Sequence, residues 1–380
     1  MSASIAPVRP LERLTLDGTL AAVAPHVPAA LVPAPAWAAV RRAARALPAA
    51  LTRAVYLECR LAHAAAPVDL ILRVERDGAA LLAGHNPAAR LSPALREDPA
   101  WRAVAETCAR WLADEGASGR CVSHLWLEFD LAADAPGAIP RPSLFAGLRS
   151  AAAVTDADAR ALLEWLGGLC GGLDAETRRT AMELISRRGP ALQVPYIGVM
   201  ASREVPAVRV YYRGPRADQV VPTLESAGWP GLSAPLADTI RALTAVPNAP
   251  GVGMLHVDVA GGPLPRAGVE FALARDPQLR GDLVETAFLE RLVELGLCLP
   301  ERRDALLAWP GARRCTLPHE LWESVMVRRV NCIKLVSGPA AIEAKGYPLA
   351  FPHPAPGRRA PAAAAQTPSV PGDPAATPPT

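Results

Sequence analysis

Lysine is almost missing from this chain. Of the 40 lysine and arginine residues only two are lysine, Lys334 and Lys345, and both fall in the stretch 325–351. Arginine used this widely, beside abundant alanine, proline and glycine, looks like GC-rich coding. With a net charge of only +3 and no basic run, it argues against a nucleic-acid partner. Also missing is any run of about 18 apolar residues free of charge, and the first residues lack a charged segment followed by an apolar core. No membrane span is expected, and the chain reads as cytoplasmic. Seven cysteines, an odd number scattered singly, exclude a disulfide framework and suit reduced, mostly buried thiols. There is no Gly-x-Ser-x-Gly elbow and no phosphate loop, and the glycine-rich stretch 167–172 reads as a helix break.

What is plentiful is apolar residue, 51% of 380, enough for a large core in one or two domains. Much of it alternates with period two. Val55, Leu57, Cys59 and Leu61 alternate with Tyr56, Glu58 and Arg60, and residues 68–75 repeat the pattern, which makes a first hairpin. In 121–131, Leu125, Leu127, Phe129 and Leu131 face one way and His124, Trp126, Glu128 and Asp130 the other; a short strand over 143–148 completes a second hairpin. A third joins 192–201 to 207–213, with Arg209, Tyr211 and Arg213 on one face. A fourth joins 252–259 to 267–274, with His256 and Asp258 turned away from Leu255, Val257 and Val259. Helical periodicity fills the gaps, over 37–46, 99–115, 155–169 with Thr155 as N-cap, 174–187, 217–227, 236–245, 282–297 and 301–309.

The two lysines belong to a fifth hairpin. Residues 325–336 are rich in β-branched side chains, Gly338-Pro339 supplies a turn, and 341–349 returns. That turn sets Lys334 opposite Glu343 and Cys332 opposite Lys345, with Tyr347 on the same face, while Ile333, Leu335, Ile342 and Ala344 need a hydrophobic layer behind them. The polar face is either an anion site or a solvated surface of cross-strand ion pairs. Gly-Leu-Cys closes a helix at Cys170 and again at Cys298, each time ahead of a charged helix and a hairpin with a tyrosine on its second strand, so helix-and-hairpin units recur.

The expected fold is α+β, with about ten antiparallel strands in repeated αββα units closing into a barrel ringed by helices. Closure removes the two edges that an open sheet of this width would expose. The alternative is an open sheet with a wet polar face. The barrel is expected as a single domain over 36–351, after a poorly ordered segment 1–35 and before a disordered Pro/Ala-rich tail 352–380.

This order of elements over roughly 37–351 resembles the aromatic prenyltransferases of the αββα-barrel (PT-barrel) type, nearest in pattern to the dimethylallyltryptophan-synthase group. Glu58 followed by Arg73 resembles that group's glutamate on the first strand and arginine on the second. Lys345-x-Tyr347 and Arg209-x-Tyr211 are similar to its basic-x-Tyr pairs that hold diphosphate. The second hairpin departs: where a Lys-x-Tyr would be expected, the strand carries Trp126, Glu128 and Asp130, and two acids repel a diphosphate.

The resemblance implies transfer of a prenyl group from an allylic diphosphate donor to an aromatic small molecule or a peptide side chain. Glu58 would take the acceptor proton. Arg73, Arg209, Arg213, Lys334 and Lys345 would bind the diphosphate, and Trp126, Tyr211 and Tyr347 would wall the allylic cation. No Asp-Asp-x-x-Asp box exists, so no cofactor is required and magnesium is optional. Cys121-x-x-His124 and Cys315-x3-His319 have nothing that links them into a zinc site. The alternative function is a non-catalytic or degenerate barrel that binds a peptide or small molecule in a biosynthetic pathway. In that case Asp69, Glu75, Glu128, Asp130, Asp258, Glu270 and Glu343 neutralise the lumen cations.

Overall fold

Strands with one aliphatic and one polar face can leave the polar face wet or curl around it, and ten of them here close into an antiparallel barrel. The computed structural model describes residues 14–86, 91–113, 116–131, 141–150, 154–186, 191–273, 278, 285–318, 320 and 322–355. The strands are β1 (Val55–Arg60), β2 (Val68–Val74), β3 (Val122–Phe129), β4 (Ser143–Leu148), β5 (Tyr196–Val199), β6 (Val208–Arg213), β7 (Val252–Ala260), β8 (Gly262–Ala272), β9 (Gly311–Thr316), β10 (Glu323–Ser337) and β11 (Ile342–Pro354). β1 to β8 pair in chain order, β10 follows β8, and β11 pairs with both β10 and β1, which closes the ring. β9 stays outside the ring and pairs with the first half of β10.

The outward residues carry the core. Leu57, Leu70, Leu72, Leu127, Val210, Val257 and Leu335 are buried in one continuous cluster with the apolar stripes of the helices. In the helix Pro99–Ala113 that stripe is Trp101, Val104, Cys108 and Trp111. Its first turn is capped by Asp98, whose Oδ1 accepts from the amides of Ala100 at 2.7 Å and Trp101 at 3.2 Å. The helix Asp156–Gly167 opens on a capping box between Thr155 and Asp158. Among the described residues no helix is long and apolar enough to cross a membrane.

Four expectations change. The segment expected to be poorly ordered forms a helix, Leu16–Val23, from which Leu16, Leu20 and Val23 are buried. Its alanine and proline content hid an apolar repeat at helical spacing. Arg302, fully buried, fastens this end to the barrel by donating to the carbonyls of Leu31, Arg60 and Ala64 at 3.2, 2.6 and 2.8 Å. β8 begins at Gly262 rather than 267, since Pro263 and Pro265 sit inside it near a turn at Gly261 (φ +72°). β11 runs on to Pro354, past the end expected for it at Leu349.

The fourth correction bears on the site. Residues 338–341 form the loop of the lysine hairpin, closed by the Gly338 amide on the Ala341 carbonyl at 2.9 Å, and a bulge lies between Val330 and Ile333. Pro339 has φ fixed near about −65° and cannot take the positive φ that a type I′ turn needs at both centres. The register therefore shifts: Lys334 lies opposite Lys345, and Glu343 opposite Val336. The tail from 356, the helix start expected at Asp282, and His319 lie outside the described residues.

Candidate active site

Alternation turns every second residue of each strand into the lumen, and along the barrel these residues sort into two cavities. One, of about 110 Å³, is walled by rings, among them Tyr56, Trp126, Phe145, Tyr196, Tyr211 and Tyr347. The other, of about 90 Å³, is lined by charge, including Arg60, Asp130, Arg203, Arg209, Arg266 and Lys345. Glu128 and Lys334 border both. Room for the rings comes from glycines directly across the strand pairs: a Cβ on Gly198 would stand 2.0 Å from the Phe145 ring, and one on Gly268 would stand 2.0 Å from the His256 ring.

The rings form an edge-to-face series. Centroid separations are 5.0 Å for Tyr56–Trp126, 6.4 Å for Trp126–Tyr196, 5.6 Å for Tyr196–Tyr211 and 6.1 Å for Tyr211–Phe145. Such a wall presents the negative faces of several aromatic quadrupoles and attracts a cation.

Glu58, buried at 3% exposure, lies beside this wall. β1 pairs with β11 with Arg60 opposite Lys345 and Cys59 opposite Gly346, which sets Tyr347 across from Glu58 and Lys345 diagonal to it. The ammonium of Lys345 donates to one carboxylate oxygen and the hydroxyl of Tyr347 to the other. Burial alone would raise this carboxyl, but Lys345, Lys334 and the two hydrogen bonds outweigh it and hold it well below the usual carboxylate range. Lys334 Nζ is 3.4 Å from Glu270 and lies 5.7 Å from the Tyr211 ring centre and 5.6 Å from that of Tyr347.

Deeper in the charged cavity Arg209 makes a two-pronged contact with Asp258, at 2.6 and 2.9 Å, and Arg203 reaches the same carboxylate at 2.9 Å. Burial opposes ionisation of Asp258, yet the two guanidinium groups hold its pKa down at about 2. Asp69 behaves oppositely. Burial and the charge of Glu58 push it up to about 7, although Arg60 stands 3.3 Å away and the Leu131 amide donates to it at 3.0 Å. His256 is kept neutral by burial and by Arg209.

The structure thus brings together Glu58, Lys345, Tyr347, Lys334, Tyr211 and Arg209, with Trp126 in the adjoining wall. Two expected site residues stand apart. Arg73 lies across from Trp126, 6.0 Å from its ring, and pairs with Glu75 at 2.8 Å, its side chain 42% exposed. Arg213 ends β6 and is exposed, because alternation fixes which face a residue takes but not its depth. Sequence reasoning passed over Tyr56, Arg60, Phe145, Tyr196, Arg203 and Arg266 as site residues. Tyr56 and Arg60 share the alternation of Glu58 and were within reach of it. Tyr196 opens a strand of four residues, too short to show a period, and Arg203 comes from the loop after β5. Among the described residues no group of three or more His, Cys, Asp or Glu could hold a metal ion.

No family model and no curated protein matches the chain. Its fold does match solved structures of aromatic prenyltransferases of the dimethylallyltryptophan-synthase type. The 5-dimethylallyltryptophan synthase from Streptomyces coelicolor is similar over 89% of this chain and 97% of that one, at 14% identity and a TM-score of 0.47. The prenyltransferase PriB is similar over 88% of this chain and 94% of that one, at 14% identity and a TM-score of 0.46. AnaPT from Neosartorya fischeri is similar over 79% and 77%, at 11% identity and a TM-score of 0.45. These likenesses describe the fold; activity has to be argued from the residues of this chain.

Proposed function

We propose that the protein transfers a prenyl group from an allylic diphosphate to an aromatic small molecule or an aromatic peptide side chain. The observation that carries this reading is the position of Glu58, an ionised buried carboxylate gripped by Lys345 and Tyr347 where a chamber of rings meets a chamber of cations. Prenyl transfer asks for these three things together: cations for the leaving group, aromatic faces for the allylic cation, and a base for the acceptor.

In this reading the diphosphate enters among Lys345, Lys334 and Arg209. The allylic C–O bond breaks and its electron pair leaves with the diphosphate. An acceptor ring carbon then donates its π electrons to the cation between Tyr211 and Tyr347, and the ring loses a proton to Glu58. The same contact that positions Glu58 makes it a weak base at first. When Lys345 turns to the diphosphate, Glu58 loses its nearest positive charge and its proton affinity rises at the moment a proton has to be accepted. Lys334 likewise vacates the space between the two tyrosine rings. The lumen cations do the work a metal would do, so no cofactor is required and magnesium is optional. The seven cysteines are free thiols, in keeping with a reducing cytoplasm.

The test is incubation of the purified protein with dimethylallyl or geranyl diphosphate and a panel of indoles and phenols. Release of diphosphate with an acceptor heavier by one prenyl unit supports the proposal. Absence of both turnover and donor binding sinks it.

One observation favours a second reading, a non-catalytic barrel that binds a peptide or small molecule. Lys345, Lys334, Arg209, Arg203 and Arg60 each already have a carboxylate, on Glu58, Glu270, Asp258, Asp258 and Asp69 respectively. A diphosphate has to open such pairs, and a ligand that binds without donor turnover would decide for this second reading.

A further inference from the structure

The first half of β10 lies between β9 and β11, and its two faces differ. On the lumen side Arg329 stands 5.2 Å from the Phe351 ring centre. On the opposite side Met326 and Val330 join the outer hydrophobic core, and between them is Arg328, only 9% exposed. Its guanidinium lies 5.6 Å from the Trp309 ring centre and over Gly311, its pair on β9, where a Cβ would come within 2.7 Å of Nη2. Arg313 pairs with Met326, so it projects from the same face two residues along β9. Neither arginine side chain has a hydrogen bond or ion pair with a described residue, and Arg328 Nε is shielded from solvent as well. Arg302, equally deep, shows what such a group ordinarily has: it donates to three carbonyls. The acids beside these strands are taken, Glu323 by Arg314 and Glu320 by Ser324. A buried guanidinium with a ring against its face and no acceptor at its edge is costly unless something else meets it.

We propose that Arg328, Arg313 and His26 form a binding site for a phosphate dianion on the outside of the barrel, separate from the lumen. His26 ends the short helix Ala24–His26, and its Nε2 is buried without a partner. Burial, then the charges of Arg328 and Arg313, hold the His26 pKa down, so the imidazole sits in the field of both guanidinium groups. Burial and Arg313 lower that of Arg328 in the same way. Among the described residues no carboxylate offsets these charges at either group. The core therefore holds two like charges together at a cost that an anion relieves. Two uncompensated positive charges match a phosphate, which carries about −1.5 to −2 near neutral pH, better than a singly charged carboxylate. The planar fork of arginine also meets two phosphate oxygens at once. Trp309 covers one face of the Arg328 guanidinium and leaves its edge for the ligand. That ligand is free inorganic phosphate or the terminal phosphate of a small monoester, and the same oxygens make the contacts in both. The site does not depend on the prenyl-transfer reading, which uses only lumen residues.

The experiment follows the histidine Cε1–H resonances of the full chain by NMR as inorganic phosphate, phenyl phosphate or acetate is added at constant pH and ionic strength. The His26 signal is identified by its loss in His26→Gln, and that of His256, which reports the charged lumen chamber, in the same way. The His26 signal should move saturably with phosphate, with half-saturation at about 1 mM or below, and acetate should leave it in place at roughly 10 mM. Arg313→Gln changes an exposed side chain and should raise the half-saturation concentration at least about tenfold. Arg328→Gln should do the same, and if that variant fails to fold, Arg313→Gln decides alone. An equal response to phenyl phosphate marks a terminal phosphate as the ligand, and a response to inorganic phosphate alone marks the free ion; both agree with the proposal. An unmoved His26 signal, a response to acetate equal to that to phosphate, movement of His256 without His26, or an unchanged half-saturation in Arg313→Gln would each overturn it.

Discussion

Lys334 and Lys345 lie directly opposite each other across the β10–β11 ladder, and each ammonium has a carboxylate from a different neighbouring strand, Glu270 on β8 and Glu58 on β1. Like charges directly opposite on paired strands destabilise a sheet. Here the two flanking acids compensate them, which leaves a pair of cations poised on adjacent strands to span one leaving group. In a chain that uses arginine everywhere else, this is where a compact point charge on a flexible stem suits better than a planar fork.

Lys345→Ala should therefore cost stability as well as donor affinity. It leaves Glu58 buried with only the Tyr347 hydroxyl, and loss of one partner from a buried pair costs about 3–5 kcal/mol. The folded-state pKa of Glu58 lies below its unfolded value, so the stability the pair supplies is present above the ordinary carboxylate pKa of about 4.3 and is lost as pH falls toward the folded value. Urea unfolding at pH 7 should show a large gap between variant and wild type, and the gap should shrink below about pH 4. A gap that stays constant with pH would contradict the placement of this charge.

Asp69 should show the opposite slope. Its folded pKa is raised to about 7, so the native state binds a proton that the unfolded chain gives up, and stability falls as pH climbs from the acid range through neutrality. Asp69→Asn keeps an acceptor for the Leu131 amide and removes the titration. The variant should match the wild type near pH 4 and exceed it by roughly 4 kcal/mol at pH 8. Equal stability at both pH values would mean that Arg60 already neutralises Asp69.

Arg209 and Arg213 share a strand face but should differ in consequence. Arg209→Ala removes a buried guanidinium from the charged cavity and should weaken binding of a non-hydrolysable allylic diphosphate by more than about tenfold, the scale of a charged hydrogen bond. Arg213→Ala, at the exposed end of β6, should change it by less than about twofold. Equal effects of the two changes would place the donor at the rim rather than in the lumen.

These contrasts also mark how far the sequence could be read. Period-two alternation correctly turned Glu58, Trp126, Arg209, Tyr211 and Lys345 away from the aliphatic core, because each strand is packed by helices on one side only. Ten strands and closure followed from that. Register did not: Gly338-Pro339 looked like a two-residue turn, and the four-residue loop that exists moved Lys345 from Cys332 to Lys334. The partner of Lys345 is 287 positions away in the chain, a separation over which no local pattern operates. β9 was invisible since its residues are largely exposed and show no alternation. That the acids of β3 lie beside the rings needed the third dimension.

Steady-state kinetics of Glu58→Gln with dimethylallyl diphosphate and an indole acceptor tests the central claim most directly. Glutamine keeps the shape and still accepts from Lys345, but it cannot take a proton. The prediction is a fall in kcat of about 10² to 10⁴ with the donor KM within about threefold of wild type, the signature of a lost general base. Undiminished kcat, or a loss confined to donor KM, would contradict it.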